Sequence, residues 1–305
     1  NLRTLSRIST RTEQGRALDS LPAEIKPTAR EINMTHFLKI YWTFALNQIK
    51  SNFVYRWGFY LHILRKFLGM FIYYYLWMAI YASSSTGQLG GFDRNEMILY
   101  VFMSYTISDI VMIGISSEIG YDVLDGSVAM NLIKPINYRW YLTFRALGTM
   151  IYRIIVPSLF IWIGLEIYKV FGLGMPVSNP LTIVLSLTSI VLSFFIYAFF
   201  DYCFGMLAFV TTYIFGMTII KNAALNLLTG KLIPISFFPL FLQKVFAFLP
   251  FTAMTYVPVM IYLGKYSEAE AFMQIGKQAL WVVILYLAGS LLWKRIEKRI
   301  VILGG

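Results

Sequence analysis

The stretch LTIVLSLTSIVLSFFIYAFF, residues 181–200, contains twenty residues and no charged side chain. A helix of about twenty predominantly apolar residues is long enough to cross the hydrocarbon core of a bilayer, which is about 30 Å thick. An apolar helix in the core of a soluble protein is usually shorter, at roughly 10–14 residues. The stretch therefore predicts a transmembrane helix.

The composition of the whole chain agrees with that prediction. Of its 305 residues, 58% are hydrophobic and 13% are charged, whereas a soluble domain has about 25% charged residues. The single cysteine, Cys203, excludes a disulfide framework within the chain, and two histidines far apart in sequence give no sign of a metal site. The composition is typical of a polytopic membrane protein.

Six segments are apolar enough to cross a membrane as helices. They cover residues 67–82, 97–115, 146–168, 181–200, 202–220 and 272–293. The sequence therefore predicts an all-α polytopic membrane protein, with a domain of six transmembrane helices over residues 57–300.

The charges are concentrated at the two ends of the chain. Residues 1–66 hold eleven Lys and Arg against four Asp and Glu, and residues 293–305 hold four against one. Lys and Arg accumulate on the cytoplasmic side of membrane proteins, and an even number of spans places both termini on one side. We expect residues 1–33 to form a flexible basic cytoplasmic tail and residues 294–305 a second one. The net charge of +11 thus indicates topology rather than nucleic-acid binding.

Two further segments are apolar without forming a simple span. In residues 34–56, apolar side chains recur at helical spacing, which predicts an amphipathic helix lying at the membrane interface before the first span. Residues 229–265 carry only two charged side chains before the closing Lys265. Four prolines break this second segment into pieces too short to cross. We expect a broken, re-entrant helical hairpin on the outer side, because irregular backbone at membrane depth must be covered by protein.

A polar segment, residues 116–145, separates the second and third predicted spans and falls on the cytoplasmic side. Its first half predicts a short amphipathic helix with a bend at Gly126 and an end before Pro135. A plain cytoplasmic loop is one interpretation. The other is a docking element for a separate cytoplasmic subunit, since a rod tied to two spans can transmit a rigid-body movement.

Sequence motifs for catalysis or nucleotide binding are absent. TGKLIP, residues 229–234, lacks the first glycine and the Ser or Thr of a phosphate-binding loop, and the chain contains neither H-E-x-x-H nor G-x-S-x-G. We therefore predict no enzyme activity for this chain by itself. If ATP drives it, a different chain binds the ATP.

Two motifs resemble a known family. DVLDGSVAMNLIKPINYRWYLTFRALG, residues 122–148, resembles the cytoplasmic segment of ABC transporter permeases of the second export type, in a bacterial six-span branch. The branch pattern, I-x-x-G-x-x-x-x-x-L-x-[KR]-P-[IV] and then a basic-aromatic run, is met here with Val123 in place of the usual Ile. The matching residues are Gly126, Leu132, Lys134, Pro135, Ile136, Tyr138, Arg139, Tyr141 and Arg145.

The second motif lies in residues 227–265. A glycine is followed by a series of prolines next to aliphatic or aromatic residues, and another glycine closes the motif. These are Gly230, Ile233, Pro234, Phe238, Pro239, Leu249, Pro250, Phe251, Tyr256, Pro258 and Gly264. The resemblance covers roughly residues 37–300.

The resemblance implies a function that composition does not give. Such permeases export substrates from the bacterial cytoplasm across the cytoplasmic membrane, paired with a second permease chain, identical or different, and with two cytoplasmic ABC ATPases. Those ATPases bind ATP and Mg, and this chain itself needs no cofactor. The segment between spans two and three acts as a coupling helix. The residues expected at the ATPase contact are Glu118, Asp122, Asp125 and Gly126, with Lys134 and Pro135 fixing the exit angle.

The same resemblance assigns an outer gate to the broken segment. Its candidate residues are Gly230, Pro234, Pro239, Pro250, Phe251 and Pro258. The substrate stays open among lipids, peptides, drugs and other amphipathic molecules.

Ionisable residues within predicted spans are costly and therefore informative. Asp109 is the deepest, and it is either a polar contact in the permease interface or path, or an internal contact to a neighbouring helix. Asp201 is expected at the inner turn between spans four and five. Lys221 and Glu166 lie toward the outer halves of their spans, and we expect them to pair with each other. A stand-alone secondary transporter or channel is the alternative function, and it would need Asp109 as its ion-coupling carboxylate.

Overall fold

The computed structural model describes residues 34–54, 56–84, 87–211 and 213–303. The predicted basic tail, residues 1–33, lies outside these ranges. The chain divides into two units, Asn1–Ile40 and Tyr41–Gly305. Within the first unit, residues 34–40 are the opening turns of helix α1, Met34–Val54, and the second unit contains every other element.

The described residues are almost entirely helical. Helix α2, Arg56–Ser83, is followed by a two-stranded antiparallel hairpin of β1, Gln88–Leu89, and β2, Phe92–Asp93. Helix α3, Arg94–Val111, begins at a capping box in which Asp93 and Glu96 satisfy each other's backbone N–H groups. A short break at residues 112–114 separates α3 from α4, Ile115–Leu124.

The middle of the chain contains one long helix that is interrupted by two π turns and one long helix that is unbroken. After α5, Ser127–Ile133, helix α6, Tyr138–Arg153, continues through a π turn, Ile154–Ser158, into α7, Leu159–Ile167, and a second π turn, Tyr168–Gly172. Pro157 lies in the first π turn. A proline has no N–H to donate to the preceding turn, so the regular α-helical hydrogen bonding is interrupted there. Helix α8, Pro180–Gly205, is unbroken.

The remaining elements are mostly short. They are α9, Ala208–Thr211; α10, Phe215–Leu228; a 3₁₀ turn, Ile235–Phe237; α11, Leu240–Phe248; a second 3₁₀ turn, Thr252–Met254; α12, Tyr256–Tyr262; and the long α13, Glu268–Leu303. The segment predicted as a broken hairpin, residues 229–265, thus consists of short helices and turns. Whether it re-enters a membrane remains a prediction.

Within the described ranges, five helical stretches, two of them with a short interruption, are long and apolar enough to cross a membrane. They are Tyr60–Ser83, Arg94–Leu124, Tyr138–Gly172, Pro180–Thr211 and Glu268–Glu297. The prediction of a multi-pass helical protein is therefore confirmed, whereas the count of six is not.

The predicted fifth span, residues 202–220, is wrong in its bounds. The first four of its residues, through Gly205, belong to the end of α8, and α10 begins only at Phe215. Hydropathy is high throughout this region, so the pattern alone gave no sign of the turn between the two helices. Helix α10 has 14 residues, a length of about 21 Å.

Helix α8 is the centre of the bundle and packs against α4, α12 and α13. Small side chains let these helices approach one another, as is common where no water drives association. A Cβ at Gly205 would lie 2.6 Å from Ile119 Cδ1 and 3.0 Å from Ser116 Cα, so no larger residue fits between α8 and α4. Gln278 of α13 is fully buried and donates to Ala253 O at 2.8 Å and to Ser193 Oγ at 3.1 Å.

The predicted apolar face of α1 contacts protein from Tyr41 onward. Tyr41 and Ala45 are buried, and the ring of Phe44 meets Tyr141 edge-on at 5.0 Å between centroids. The closest approach is at Gly148 of α6, where an added Cβ would lie 2.3 Å from the carbonyl oxygen of Ala45. The face therefore packs on α6, and a position at the membrane interface remains a prediction.

Candidate functional site

Helices α4 and α5 form a hairpin between α3 and α6. The turn depends on Gly126, whose φ of 79° and ψ of 0° are left-handed values that favour glycine. Helix α5 ends at Ile133, and Lys134 is extended, because a residue before proline is disfavoured in the helical region. The bend and the end both fall where the sequence predicts them.

Asp122 holds the hairpin together. Its carboxylate accepts hydrogen bonds from Tyr138 OH at 2.7 Å, Asn131 Nδ2 at 3.0 Å and Ser127 Oγ at 3.1 Å. These three donors lie on α6 and α5, so one side chain connects α4, α5 and α6. Lys134 Nζ extends the network by donating to Asn131 Oδ1 at 2.8 Å.

Glu118 is also engaged within the chain. It forms an ion pair with Arg145 of α6, with both side chains about one-third exposed or less. Arg145 Nε in turn donates to Gln48 Oε1 on α1 at 3.2 Å, and its Nη1 donates to Tyr141 OH at 3.1 Å. Glu118 therefore joins the hairpin to α6 and, through Arg145, to α1.

The hairpin carries large apolar side chains that are exposed. There are four among the described residues of α4 and α5, and their exposed fractions are 64% for Tyr121, 52% for Leu124, 67% for Met130 and 79% for Ile133. We refer to these four residues as the hairpin surface. Exposed apolar patches of this kind mark interaction sites.

Two candidate charges and two candidate loop residues also lie at this surface. Asp125, Gly126, Lys134 and Pro135 are all exposed. Hydrogen bonds from the hydroxyl and the backbone N–H of Ser127 lower the pKa of Asp125, so this carboxylate is charged at neutral pH. The six candidate coupling residues thus fall into two sets, with Glu118 and Asp122 bonded within the chain and the other four exposed.

A buried ion pair contacts the first turn of the hairpin helix α4. Lys221 Nζ of α10 contacts Asp201 Oδ1 of α8, and it also donates to Ser116 Oγ at 2.7 Å. Asp201 Oδ2 accepts the backbone N–H of Ser116 at 2.8 Å. The proposed Lys221–Glu166 pair is wrong, because Glu166 instead contacts Ser178 Oγ at 2.8 Å and Tyr262 OH at 2.9 Å.

Asp109 lies in a second cluster of charged groups, where α2, α3 and α6 meet. Lys66 Nζ is 3.2 Å from Asp109 Oδ2, His62 Nε2 is 3.2 Å from Oδ1, and Arg153 Nη1 is 3.9 Å from Oδ1. The carboxylate therefore has internal partners on neighbouring helices. Among the described residues, no group of three His, Cys, Asp or Glu side chains could hold a metal ion.

The segment predicted as the outer gate, residues 229–265, is fixed to the bundle through Gly230. We refer to it as the outer segment. This residue has a φ of 77°, and its carbonyl accepts a hydrogen bond from Tyr100 OH at 2.5 Å. A Cβ on Gly230 would lie 3.0 Å from that hydroxyl and 3.2 Å from Tyr256 Cβ. Glycine is therefore required here by both the backbone conformation and the lack of space.

Of the other gate candidates, Pro234, Pro239 and Pro250 lie at ends of short elements, whereas Pro258 lies in the first turn of α12 and does not break the chain there as predicted. Pro234, Pro250 and Pro258 are buried, Pro239 is exposed, and the ring of Phe251 meets Phe200 edge-on at 5.4 Å. Pro234 precedes the first 3₁₀ turn and Pro239 precedes α11, while the carbonyl of Pro258 accepts Ser186 Oγ at 3.2 Å. The segment is thus docked on α3 and α8 by hydroxyl and aromatic contacts.

Residues 67–304 match the family described as ABC-2 family transporter protein. The chain belongs to this family. No curated protein and no solved structure matches it.

Family membership confirms the resemblance seen in the two motifs. The protein is a multi-pass membrane component of an ABC transporter, and the family implies that it works with ABC ATPase subunits. Members are transport components and are generally not catalytic themselves.

Several residues that build the site could not be chosen from the sequence. Tyr138 and Asn131, which bind Asp122, and the Asp201–Lys221 pair are the clearest examples. The only available signal for the pair was that two opposite charges occur on neighbouring apolar helices, where each needs a partner.

Proposed function

We propose that this chain is the membrane permease subunit of an ATP-driven exporter and that the hairpin surface is where a separate ABC ATPase docks. The observation that carries the proposal is the pairing of an exposed apolar surface with a hairpin fixed internally by Asp122 and Glu118. An apolar patch supplies binding energy, and an internally bonded hairpin moves as one body. On this proposal Asp125, Gly126, Lys134 and Pro135 contact the ATPase, whereas Glu118 and Asp122 keep the hairpin rigid.

The bonds around the hairpin give a route for movement into the membrane. Tyr138 and Arg145 attach it to α6, and Gln48 attaches it to α1. The Asp201–Lys221 pair and Ser116 connect its first helix to α8 and α10. Closure of the ATPases on ATP and Mg would then shift several helices together, because packed elements move as units rather than deforming continuously.

A sixth crossing is part of this proposal. Ile214, just before α10, lies beside Gly120, and Gly230, just after α10, bonds to Tyr100. Positions 100 and 120 are about 30 Å apart along the α3–α4 path at helical rise, close to the thickness of the hydrocarbon core. We infer that α10 and its flanking turns cross the membrane, which returns both termini to the cytoplasm.

The remaining parts of the assembly follow the family pattern. A second permease chain, identical or different, completes the translocation path, and the outer segment from Gly230 to Gly264 caps its outer end. The complex operates in a bacterial cytoplasmic membrane, in contact with membrane lipid. The substrate is an amphipathic molecule, with lipids, peptides and drugs as the classes to be compared.

The test is a pull-down of the tagged chain from native membranes in mild detergent, with every companion chain identified by mass spectrometry. We expect a stoichiometric ABC ATPase with the unmodified protein. Ile133→Asp and Asp125→Arg should lower its recovery by at least about tenfold, since central interface residues contribute more than about 2 kcal/mol. Val177→Asp is the matched control, because Val177 is 69% exposed in the loop between α7 and α8.

Two results would contradict the proposal. One is full ATPase recovery with both hairpin variants. The other is an unmodified protein that has no ATPase companion and still moves substrate in vesicles lacking ATP, which would establish a stand-alone transporter.

A further inference from the structure

A groove of about 550 Å³ runs along the side of the bundle between α2, α3 and α7. Its volume falls within the range of small-molecule sites. Apolar side chains line it almost completely, among them Ile63, Phe67, Tyr74, Phe102 and Phe160.

The bend in the α6–α7 helix helps to create this groove. Pro157, in the π turn, lines its wall, and Gly164 lies about two turns further along, on α7. A Cβ at Gly164 would meet no atom within 4 Å, so the space in front of this glycine is open. An unfilled apolar space of this size is costly inside a protein, but it is readily occupied by a hydrocarbon.

The length of the groove matches one leaflet of a membrane. On α2 it extends from Ile63 to Tyr74, which is about 17 Å at 1.5 Å per residue. Half of the hydrocarbon core is about 15 Å. A single acyl chain from one leaflet therefore fits the groove from end to end.

One end of the groove adjoins the cluster around Asp109. Lys66 Nζ donates to Ser158 Oγ at 3.1 Å, next to the groove residue Pro157. Among the described residues, Asp109 is the one carboxylate within 4 Å of Lys66 and Arg153 in this cluster. Arg153 Nη1 also donates to the backbone carbonyls of Asp109 and Met112, and 21% of its side chain is exposed. The cluster therefore carries excess positive charge, and a low-dielectric environment favours neutralising it with an anion.

We propose that the groove binds one acyl chain of a phospholipid whose anionic headgroup lies at the Arg153 end. The apolar wall supplies affinity for the chain, and the excess positive charge of the cluster of Lys66, Arg153 and Asp109 selects the headgroup. This binding does not depend on an ATPase partner. Anionic phospholipid is the occupant because length, wall chemistry and charge agree on it. A second copy of the protein would match the apolar wall without accounting for the charge.

The experiment measures lipid retention by native mass spectrometry on the full-length protein, purified in detergent and incubated with phosphatidylglycerol or with phosphatidylcholine of the same chains. We expect phosphatidylglycerol to be retained at least about tenfold more, a ratio that one charge-assisted hydrogen bond supports. Gly164→Leu should abolish retention of both lipids by filling the groove. Arg153→Gln should remove the preference between lipids, and Arg153→Lys should restore it.

Gly276→Leu is the matched control, since Gly276 is an exposed helical glycine on α13 with no atom within 4 Å of an added Cβ. It should retain lipid like the unmodified protein. Ile63→Trp, which fills the groove from its opposite wall, replaces Gly164→Leu if that variant aggregates. Equal retention of the two lipids by the unmodified protein overturns the headgroup assignment. Unchanged retention after the groove is filled, or a dimer that excludes lipid, overturns the site.

Discussion

Lys221 and Asp201 form an ion pair in which 3% and 0% of the two side chains are exposed. The pair connects α10 to α8, and Ser116 of α4 satisfies the remaining polar atoms with its hydroxyl and its backbone N–H. Burying two charges is favourable only when they are paired and hydrogen-bonded. The three helices are therefore fixed to one another at this point.

Removing one member of this pair should destabilise the protein strongly. We expect Lys221→Met to lower the free energy of unfolding by about 3–5 kcal/mol, because it leaves Asp201 buried and unpaired. Lys221→Met with Asp201→Asn should recover most of the loss, since Asn is uncharged and still accepts the Ser116 N–H. The measurement is chemical unfolding in detergent micelles. Additive effects of the two substitutions would show that the charges do not interact.

A partly exposed pair in the same protein provides the control. Lys265 and Glu96 are in contact, but 24% and 26% of their side chains are exposed. Exposed ion pairs contribute about 1 kcal/mol or less. Lys265→Met should therefore cost far less than Lys221→Met in the same assay.

Two glycines on the α6–α7 helix should respond oppositely to alanine. Gly148→Ala places a Cβ 2.3 Å from the carbonyl oxygen of Ala45 and must push α1 away from α6, at a cost of about 1–3 kcal/mol. Gly164→Ala meets no atom within 4 Å, and alanine is the better helix former by about 1 kcal/mol. Thermal unfolding of both variants should show a lower midpoint for the first and an equal or higher midpoint for the second. Equal shifts in one direction would contradict the close helix contact.

Hydropathy and turn chemistry predict the local parts of this structure well. Most of the long apolar helices, the bend at Gly126 and the end of α5 before Pro135 all follow from neighbouring residues. The break between α8 and α10 does not, because residues on both sides of it are equally apolar. Such a turn is set by contacts with other helices, among them Gly205 against Ile119.

In the candidate site, too, local features can be predicted from the sequence and long-range contacts cannot. Which residues are exposed on the hairpin follows partly from amphipathicity, but the partners of Asp122 and Glu118 do not. Gln48 and Arg145 are 97 positions apart, and Lys221 and Ser116 are 105 positions apart. Pairings at such separations depend on how the helices pack, and a single sequence does not specify them. The ATPase contact predicted for Glu118 and Asp122 stays a prediction, and their bonds within the chain are what the structure adds.

The outer segment should be sensitive at Gly230 in particular. Gly230→Ala forces an alanine into a left-handed conformation, which costs about 1–2 kcal/mol, and it crowds Tyr100 and Tyr256. Gly264→Ala has the same strain, with a φ of 67°, but meets no atom within 4 Å. Thermal unfolding should therefore show a larger loss for Gly230→Ala. An equal drop in the unfolding midpoint for both variants would mean that only the left-handed backbone, and not the contacts with Tyr100 and Tyr256, requires glycine at position 230.

Asp122 should matter for coupling more than for docking, if the proposed function is correct. Asp122→Ala removes three side-chain hydrogen bonds inside the hairpin and leaves the hairpin surface chemically unchanged. We expect the ATPase to co-purify within about twofold of normal, while substrate transported per ATP hydrolysed falls about tenfold, as for a coupling loss near 1.4 kcal/mol. Transport and ATP hydrolysis are measured together in proteoliposomes.

Asp125→Ala is the matched control for that prediction, because it also removes a carboxylate from the hairpin. Asp125 is exposed, and within the described part of the chain its carboxylate bonds to Ser127 of its own turn. Its loss should weaken ATPase recovery without changing transport per ATP in the complexes that remain. A hairpin that transmits movement as a rigid body requires these opposite patterns, since Asp122 joins it to α6 and Asp125 does not. The same pattern for both variants would argue that the hairpin docks the ATPase without transmitting its movement.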